Sequence, residues 1–270
     1  MKFNPEQANL LLFDLLDKEE DIVHFSTTRI GGVSNGTYAS LNLGNFSDDS
    51  SLNIYENRSI LARMFYKKPE DFIIPHQTHG SRVLLVDTSF LSLDRSTKIS
   101  KLYGIDATVT QEKDVFLCAT TADCVPILLY DRNKKAIAAI HAGWRGTVER
   151  IVEKTVVLMQ KTFGSSPADL LAAIGPAISM AYYEVGDEVL EAFHANGFDL
   201  TGAFFRATPH SKVHIDLKEI NRMELIRLGV LPRHIEKSSY CTFENEHLFF
   251  SARRQTVHSG RMLTGILLKK

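Results

Sequence analysis

Three short clusters hold the side chains of this chain that are equipped for chemistry: His76-Gln77-Thr78-His79-Gly80, Thr121-Ala122-Asp123-Cys124 and His141-Ala142-Gly143-Trp144-Arg145-Gly146. Imidazole and thiolate are ligands that zinc and copper favour, and both groups exchange protons near neutral pH. Two imidazoles and one thiolate hold zinc in a tetrahedral shell with one position left open, as catalysis requires. Cys124 and His141 supply two of those ligands. His79 is the better third, because Gly80 beside it lets the backbone approach closely. His76 is then left to orient a substrate or to support a ligand from outside. Neither histidine of the first cluster lies in a helical pattern, so this is not the HExxH face of a zinc protease.

Whether Cys124 meets His141 depends on the elements that carry them. Residues 115–118, 125–130 and 136–140 are short apolar runs that read as covered strands, and the polar stretch 131–135 turns the last two into a hairpin. With the turn centred near Asn133, Val125 faces His141 and Cys124 faces Ala142, to within one residue, since a five-residue loop does not fix register. Thiol and imidazole then meet at the open end of the hairpin, where cross-strand Cβ atoms lie roughly 5 Å apart. A lone cysteine in an apolar strand is more often a small buried hydrophobe. That is the reading for Cys118, while Cys241, in a turn after Tyr240, has no assigned part. Cys124 differs in having a histidine partner at a strand end.

Trp144 to Thr147 lie where the hairpin gives way to a helix predicted over 148–163, whose apolar residues recur at helical spacing up to Gly164. Free N–H groups at that helix start, with Arg145 beside them, suit a phosphate or carboxylate. Further helices are predicted over 53–65, 186–195 and 217–228, the last with Asp216 and Glu219 in capping-box spacing. Strands are predicted over 22–26, 82–86, 107–110, 171–174, 248–251 and 263–268. Strands and helices mix without regular alternation, which predicts an α+β layered sandwich and not a doubly wound sheet.

No repeat, low-complexity tract or linker divides the 270 residues, so one domain over 1–270 is expected. Hydrophobic content of 44% and charged content of 23% are those of an ordinary globular protein. A net charge of -1 offers no general attraction to nucleic acid or an anionic membrane. Three cysteines are too few for a disulfide framework, and their odd number fits a reducing compartment. The N-terminal apolar stretch is interrupted by Asp14 and lacks a cleavage site, and no run approaches the roughly 20 apolar residues of a membrane span. The expected location is cytoplasmic; the oligomeric state is not legible.

The segments HQTHG, TADCVPILLYD, HAGWRGT, IGPAI and the C-terminal FFSARR with SGRM together resemble the YfiH/YlmD/FAMIN family, whose names include polyphenol oxidase or laccase-domain protein, peptidoglycan editing factor and purine nucleoside phosphorylase. The match runs in order from about Ser40 to Arg261. The resemblance implies one α+β domain of layered-sandwich type, like the putative cysteine hydrolases related to cytotoxic necrotizing factor. It implies a metal site at His79, Cys124 and His141, with Asn42, Arg58 and the Arg145 region lining the pocket. It also implies phosphorolysis of adenosine, inosine and methylthioadenosine, with adenosine deamination, zinc as cofactor and copper as a competitor. The partners are then a nucleoside and phosphate. The C-terminal segment departs from the commoner FSYRRDGxTGR form: Ala252 replaces Tyr, and residues 255–259 alter the approach to Gly260. Two other activities share the motifs: a peptidoglycan precursor editing amidase, with a metal-activated water or Cys124 as nucleophile, and a copper-dependent polyphenol oxidase. A true multicopper centre is poorly served, because the ten histidines include no HxH pair. A noncatalytic metal module is disfavoured by the open ligand position.

Overall fold

Alternation within the central strands sets the layering. In the computed structural model, which describes residues 1–270 apart from Ala8 and Phe46, strands Val125–Asp131 and Ala136–Ala142 are buried along their whole length. Successive side chains point to opposite faces. Val125, Ile127, Leu129, Ala138 and Ile140 enter one core, with Ile151, Val156 and Met159 of helix Ile151–Phe163 and Ile220 of helix Leu217–Arg227. Leu128, Tyr130, Ile137 and Ala139 enter a second core together with Leu117, Ile266 and Leu268 from another sheet. That other sheet turns Phe116, Cys118, Leu263 and Leu267 the opposite way, toward Leu61 and Ala62 of helix Ser51–Met64. The result is an α+β sandwich of four layers: helix, sheet, sheet, helices.

The first sheet runs, in spatial order, Lys2–Phe3, Leu10–Leu12, Ile22–Thr27, Met262–Leu268, Phe116–Thr121 and Phe72–Ile73. The second runs Ile235–Lys237, Leu170–Ile174, Val125–Asp131, Ala136–Ala142, Ala107–Thr110 and Val83–Leu85. A small third sheet joins Glu184–Val185, Val213–Ile215 and Phe204–Phe205. None of the described helices is long and apolar enough to cross a membrane.

One expectation resolves within its tolerance of one residue and two need correction. The hairpin pairs Val125 with Ala142 and Pro126 with His141, one residue from the predicted register. Asp131 remains in the strand and its carboxylate accepts the N–H groups of Asn133 and Lys134, both at 2.9 Å, so the turn is 132–135 and its centre moves by half a residue. The helix expected over 148–163 begins earlier, as Trp144–Val148, and restarts as Ile151–Phe163. Arg150 breaks it in the left-handed region at φ 64°, where its guanidinium bonds Glu224 at 2.6 Å and the Asn196 carbonyl at 2.7 Å. Residues 248–251 form no strand: the Phe249 N–H goes to the Asn245 carbonyl and that of Phe250 to the Met262 sulfur. Both phenyl rings are buried, and a short apolar run does not distinguish a buried loop from a buried strand.

Candidate active site

Two of the three motif clusters are chain crossings between the two sheets at one end of the sandwich, and the third leads from a strand of the second sheet into helix Trp144–Val148. Residues 122–124 link strand Phe116–Thr121 of the first sheet to Val125–Asp131 of the second. The HQTHG segment lies between Phe72–Ile73 and Val83–Leu85, which belong to different sheets in the same way. His141 stands near the end of its strand, opposite Pro126.

His79, Cys124 and His141 come together there, with ligand atoms all within 4.8 Å of one another. Among the described residues this is the one such group, graded from exposed His79 through half-buried Cys124 to buried His141. The two imidazole rings stand nearly perpendicular, at 82°, with centroids 4.9 Å apart. His79 adopts φ 61° and Asp123 φ 87°, left-handed conformations uncommon outside glycine that local bonds must hold.

Those bonds come from two buried carboxylates. Asp106 bonds His141 Nδ1 at 2.8 Å and accepts the N–H groups of His79 at 3.0 Å and Gly80 at 2.9 Å. One side chain thus fixes the ring of one candidate ligand and the backbone of another. With Nδ1 occupied, the other nitrogen of His141 is the one left to bond Cys124. Asp123 accepts from Thr242 Oγ1 at 2.6 Å, Ser251 Oγ at 3.0 Å and the Arg253 N–H at 2.6 Å, tying the C-terminal segment to the residue before Cys124.

The electrostatics follow from this packing. Burial pushes the Cys124 thiol up, but the His141 charge and hydrogen bonds from His141 and His79 outweigh it and hold the thiol below its ordinary value. Burial pushes His141 down, and the Cys124 thiolate with Asp106 reverses the effect. Each of the two groups therefore favours the charged form of the other. In Asp106, burial favours the neutral acid, while the bond to His141 and the surrounding N–H groups hold the carboxyl below its usual range.

Glycines set how closely the crossings approach. A Cβ on Gly143 would sit 3.0 Å from His79 Cδ2 and 3.3 Å from Cys124 Sγ. One on Gly146 would sit 2.5 Å from the Gly80 carbonyl oxygen, inside any tolerable contact.

The group opens onto a cavity of about 430 Å³ whose wall includes Gln77, Asp123, Tyr183, Arg253 and Arg261. Arg253 bonds the carbonyls of Tyr182 and Glu184, and Arg261 those of Ser259 and Gly260. Neither guanidinium forms an ion pair among the described residues, although the Asp123 charge reaches Arg261. Burial pushes the Tyr183 phenol well up, so it stays protonated at neutral pH.

The other predicted site residues fall elsewhere. Asn42 is buried behind the wall, where its Oδ1 accepts the N–H groups of Gly44 and Arg261 at 3.1 and 2.9 Å. Arg58 clamps the Leu43 carbonyl at 2.8 Å and lines a different cavity. His76 lies edge-on to Tyr103, 4.6 Å between centroids, and is not in the cavity wall. Arg145 is exposed over the Trp144 ring at 4.3 Å, and its charge is felt by Tyr183. Its helix, Trp144–Val148, is too short to serve as an anion site of the kind expected. Cys118 is core, and Cys241 is buried with its sulfur accepting the Ser179 N–H.

Asp106 is absent from the residues the sequence singles out and Asp123 and Arg261 carry no role there, whereas the Tyr182-Tyr183-Glu184 segment reads equally as a cleft wall or a structural turn, and Tyr183 lines the cavity. Asp106 stands 27 residues from His79 and 35 from His141, so no spacing announces it. Its one local signal is an acid at the head of a strand that is otherwise apolar or Thr.

A family model described as multi-copper polyphenol oxidoreductase laccase matches residues 23–269. The chain is 45% identical over 265 residues to a purine nucleoside phosphorylase of Bacteroides thetaiotaomicron, covering 98% of each. It is 38% identical to adenosine deaminase RL5 from an unknown prokaryotic organism, over 95% of this chain and 97% of the other. Among solved structures, the hypothetical protein YfiH of Bacillus licheniformis superposes with a TM-score of 0.90 at 32% identity, covering 99% of both chains.

Proposed function

Because the chain belongs to the multi-copper polyphenol oxidoreductase laccase family, we propose that it is a zinc-dependent purine nucleoside phosphorylase acting on adenosine, inosine and methylthioadenosine, with adenosine deaminase activity. One observation carries the reading: the His79, Cys124 and His141 group shares a cavity with Arg253 and Arg261, cations whose guanidinium groups form no ion pair among the described residues. A phosphate supplies the missing negative charge, and 430 Å³ is within the range of pockets that take a nucleoside-sized ligand.

The donor set fits a metal. Two imidazoles and a thiol already held toward its thiolate form converge, and Asp106, by taking Nδ1, turns the other nitrogen of His141 toward Cys124, where it would face a metal. Zinc, with copper as competitor, would supply Lewis acidity there and lower the pKa of a water toward about 7. The chain's own residues do the rest. Arg253 and Arg261 orient phosphate, whose oxygen forms the new bond to the sugar C1′ as the bond to the purine breaks. Tyr183 presents a neutral hydroxyl that hydrogen-bonds without adding charge. Asp106 keeps His141 and the His79 loop in register, so no geometry is assembled during the reaction. The chain is expected to act as one domain in the cytoplasm, where Cys118, Cys124 and Cys241, all unpaired, stay reduced.

A second reading draws on the same group. Cys124, His141 and Asp106 make a thiol, base and orienting carboxylate, the arrangement of a cysteine amidase acting on a peptidoglycan precursor. Cys124→Ala separates the two. The metal-site reading expects loss of bound zinc, measured by elemental analysis, together with loss of nucleoside turnover and an unchanged circular dichroism spectrum. Zinc retained at one ion per chain removes Cys124 from the metal shell and supports the thiol mechanism.

A further inference from the structure

A second cavity, of about 630 Å³, lies between helix Ser51–Met64 and helix Arg95–Leu102. One bend of chain separates it from the first: Gly44 lines the active-site cavity and Asn45 the second. Its inner wall is apolar, built from Ile54, Phe72, Ile73 and Leu102. Its rim carries Tyr55 and Ile99, large side chains that are 54% and 61% exposed. Exposed apolar groups scattered singly need no explanation, but two flanking one concavity leave a surface able to cover a ligand.

The charges around it are unbalanced. The side chains of Arg95 and Lys98, three apart on one helix and so on the same face, have no ion pair or hydrogen bond among the described residues. Arg58 spends Nε and Nη2 on the Leu43 carbonyl and has no acidic partner among the described residues. Asp49 also lines the cavity, but its carboxylate is committed to Ser34, Asn42 and the Ser50 N–H. Glu70 is the other acid of the lining, and since the bonds of Asp49 to neutral donors leave its charge in place, two carboxylates stand against three cations.

We propose that this cavity binds a phosphate monoester with an apolar body, the ring or chain lying on the Ile54 and Phe72 wall beneath Tyr55 and Ile99, and the phosphate taken by Arg95, Lys98 and Arg58. A dianion matches the two free cations of the helix, and Arg58 adds a partly desolvated donor. The volume is too large for inorganic phosphate alone and falls within the usual range for small organic ligands. The assignment is independent of which reaction the first cavity performs.

Isothermal titration with 1-naphthyl phosphate, 1-naphthol and inorganic phosphate tests it. The expected result is saturable binding of the ester at least tenfold tighter than either fragment. An Arg95→Ser/Lys98→Ser double variant, altered only at exposed or half-buried surface positions, should weaken the ester at least tenfold with its circular dichroism unchanged. Arg253→Ala, which changes the first cavity, should leave ester binding within twofold. No saturable binding, equal affinity for 1-naphthol, or an ester site lost in Arg253→Ala and intact in the double variant would each overturn the proposal.

Discussion

At the scale of single residues, Asp106 and Arg253 make the sharpest claims. A carboxylate that orients a ligating imidazole typically contributes 10- to 100-fold to metal affinity. Asp106→Asn keeps the shape but turns an amide N–H toward donors that need an acceptor, so zinc affinity should fall by about that factor. Competition with a chromogenic chelator measures it, and an affinity unchanged within twofold contradicts the role. Arg253→Ala should raise the phosphate KM roughly tenfold with a smaller change in kcat, since a charge-assisted bond contributes on the order of 1.5 kcal/mol. Arg145→Ala should do less, because Arg145 is exposed and outside the cavity wall. Steady-state kinetics with varied phosphate decides the order, and a larger effect at Arg145 would return the anion site to the helix start.

At the scale of elements, close approach of the crossings is the requirement. Gly146→Ala places a Cβ 2.5 Å from the Gly80 carbonyl, and backbone on both sides cannot yield cheaply. The expected outcome is about 1 to 3 kcal/mol of destabilisation together with weakened zinc binding, because the displaced loop carries His79. Chemical denaturation and metal titration on one preparation test both; a stable variant with full zinc affinity would mean that the loop is not held there. The same elements show what can be read from sequence. The hairpin, its strands and the meeting of Cys124 with His141 are legible because apolar runs bounded by polar turns leave little choice of structure. The register is not, because Asp131 both ends the strand and caps the turn. The break at Arg150 is invisible too, since its left-handed φ is stabilised by Glu224, Asn196 and Phe198, all distant in sequence. Residues 248–251 mislead because Phe249 and Phe250 are apolar for packing in a loop. The candidate ligand trio is legible from residue type and position, whereas Asp106 and Arg261 reach the site by tertiary folding alone.

At the scale of the whole molecule, the two sheets share one core, so unfolding is expected as one cooperative transition, with calorimetric and van't Hoff enthalpies agreeing. Two resolved transitions would contradict a single domain. Acid should weaken the fold in a defined window. His24 is buried and accepts the Phe13 N–H at Nε2, and burial lowers its pKa to about 4. A folded pKa below the unfolded value means that its contribution is complete above about pH 6.5 and disappears as pH falls toward 4, worth up to about 3 kcal/mol. Urea midpoints across that range should drop more for the native protein than for His24→Gln; parallel profiles would exclude His24 as the cause. Phosphorolysis makes phosphate a reactant. Adenosine incubated with the zinc-loaded protein, with and without phosphate, should release adenine and ribose 1-phosphate only when phosphate is present, while inosine forms in both cases. Adenine released equally fast without phosphate, with free ribose as the other product, would contradict phosphorolysis and make the protein a nucleoside hydrolase.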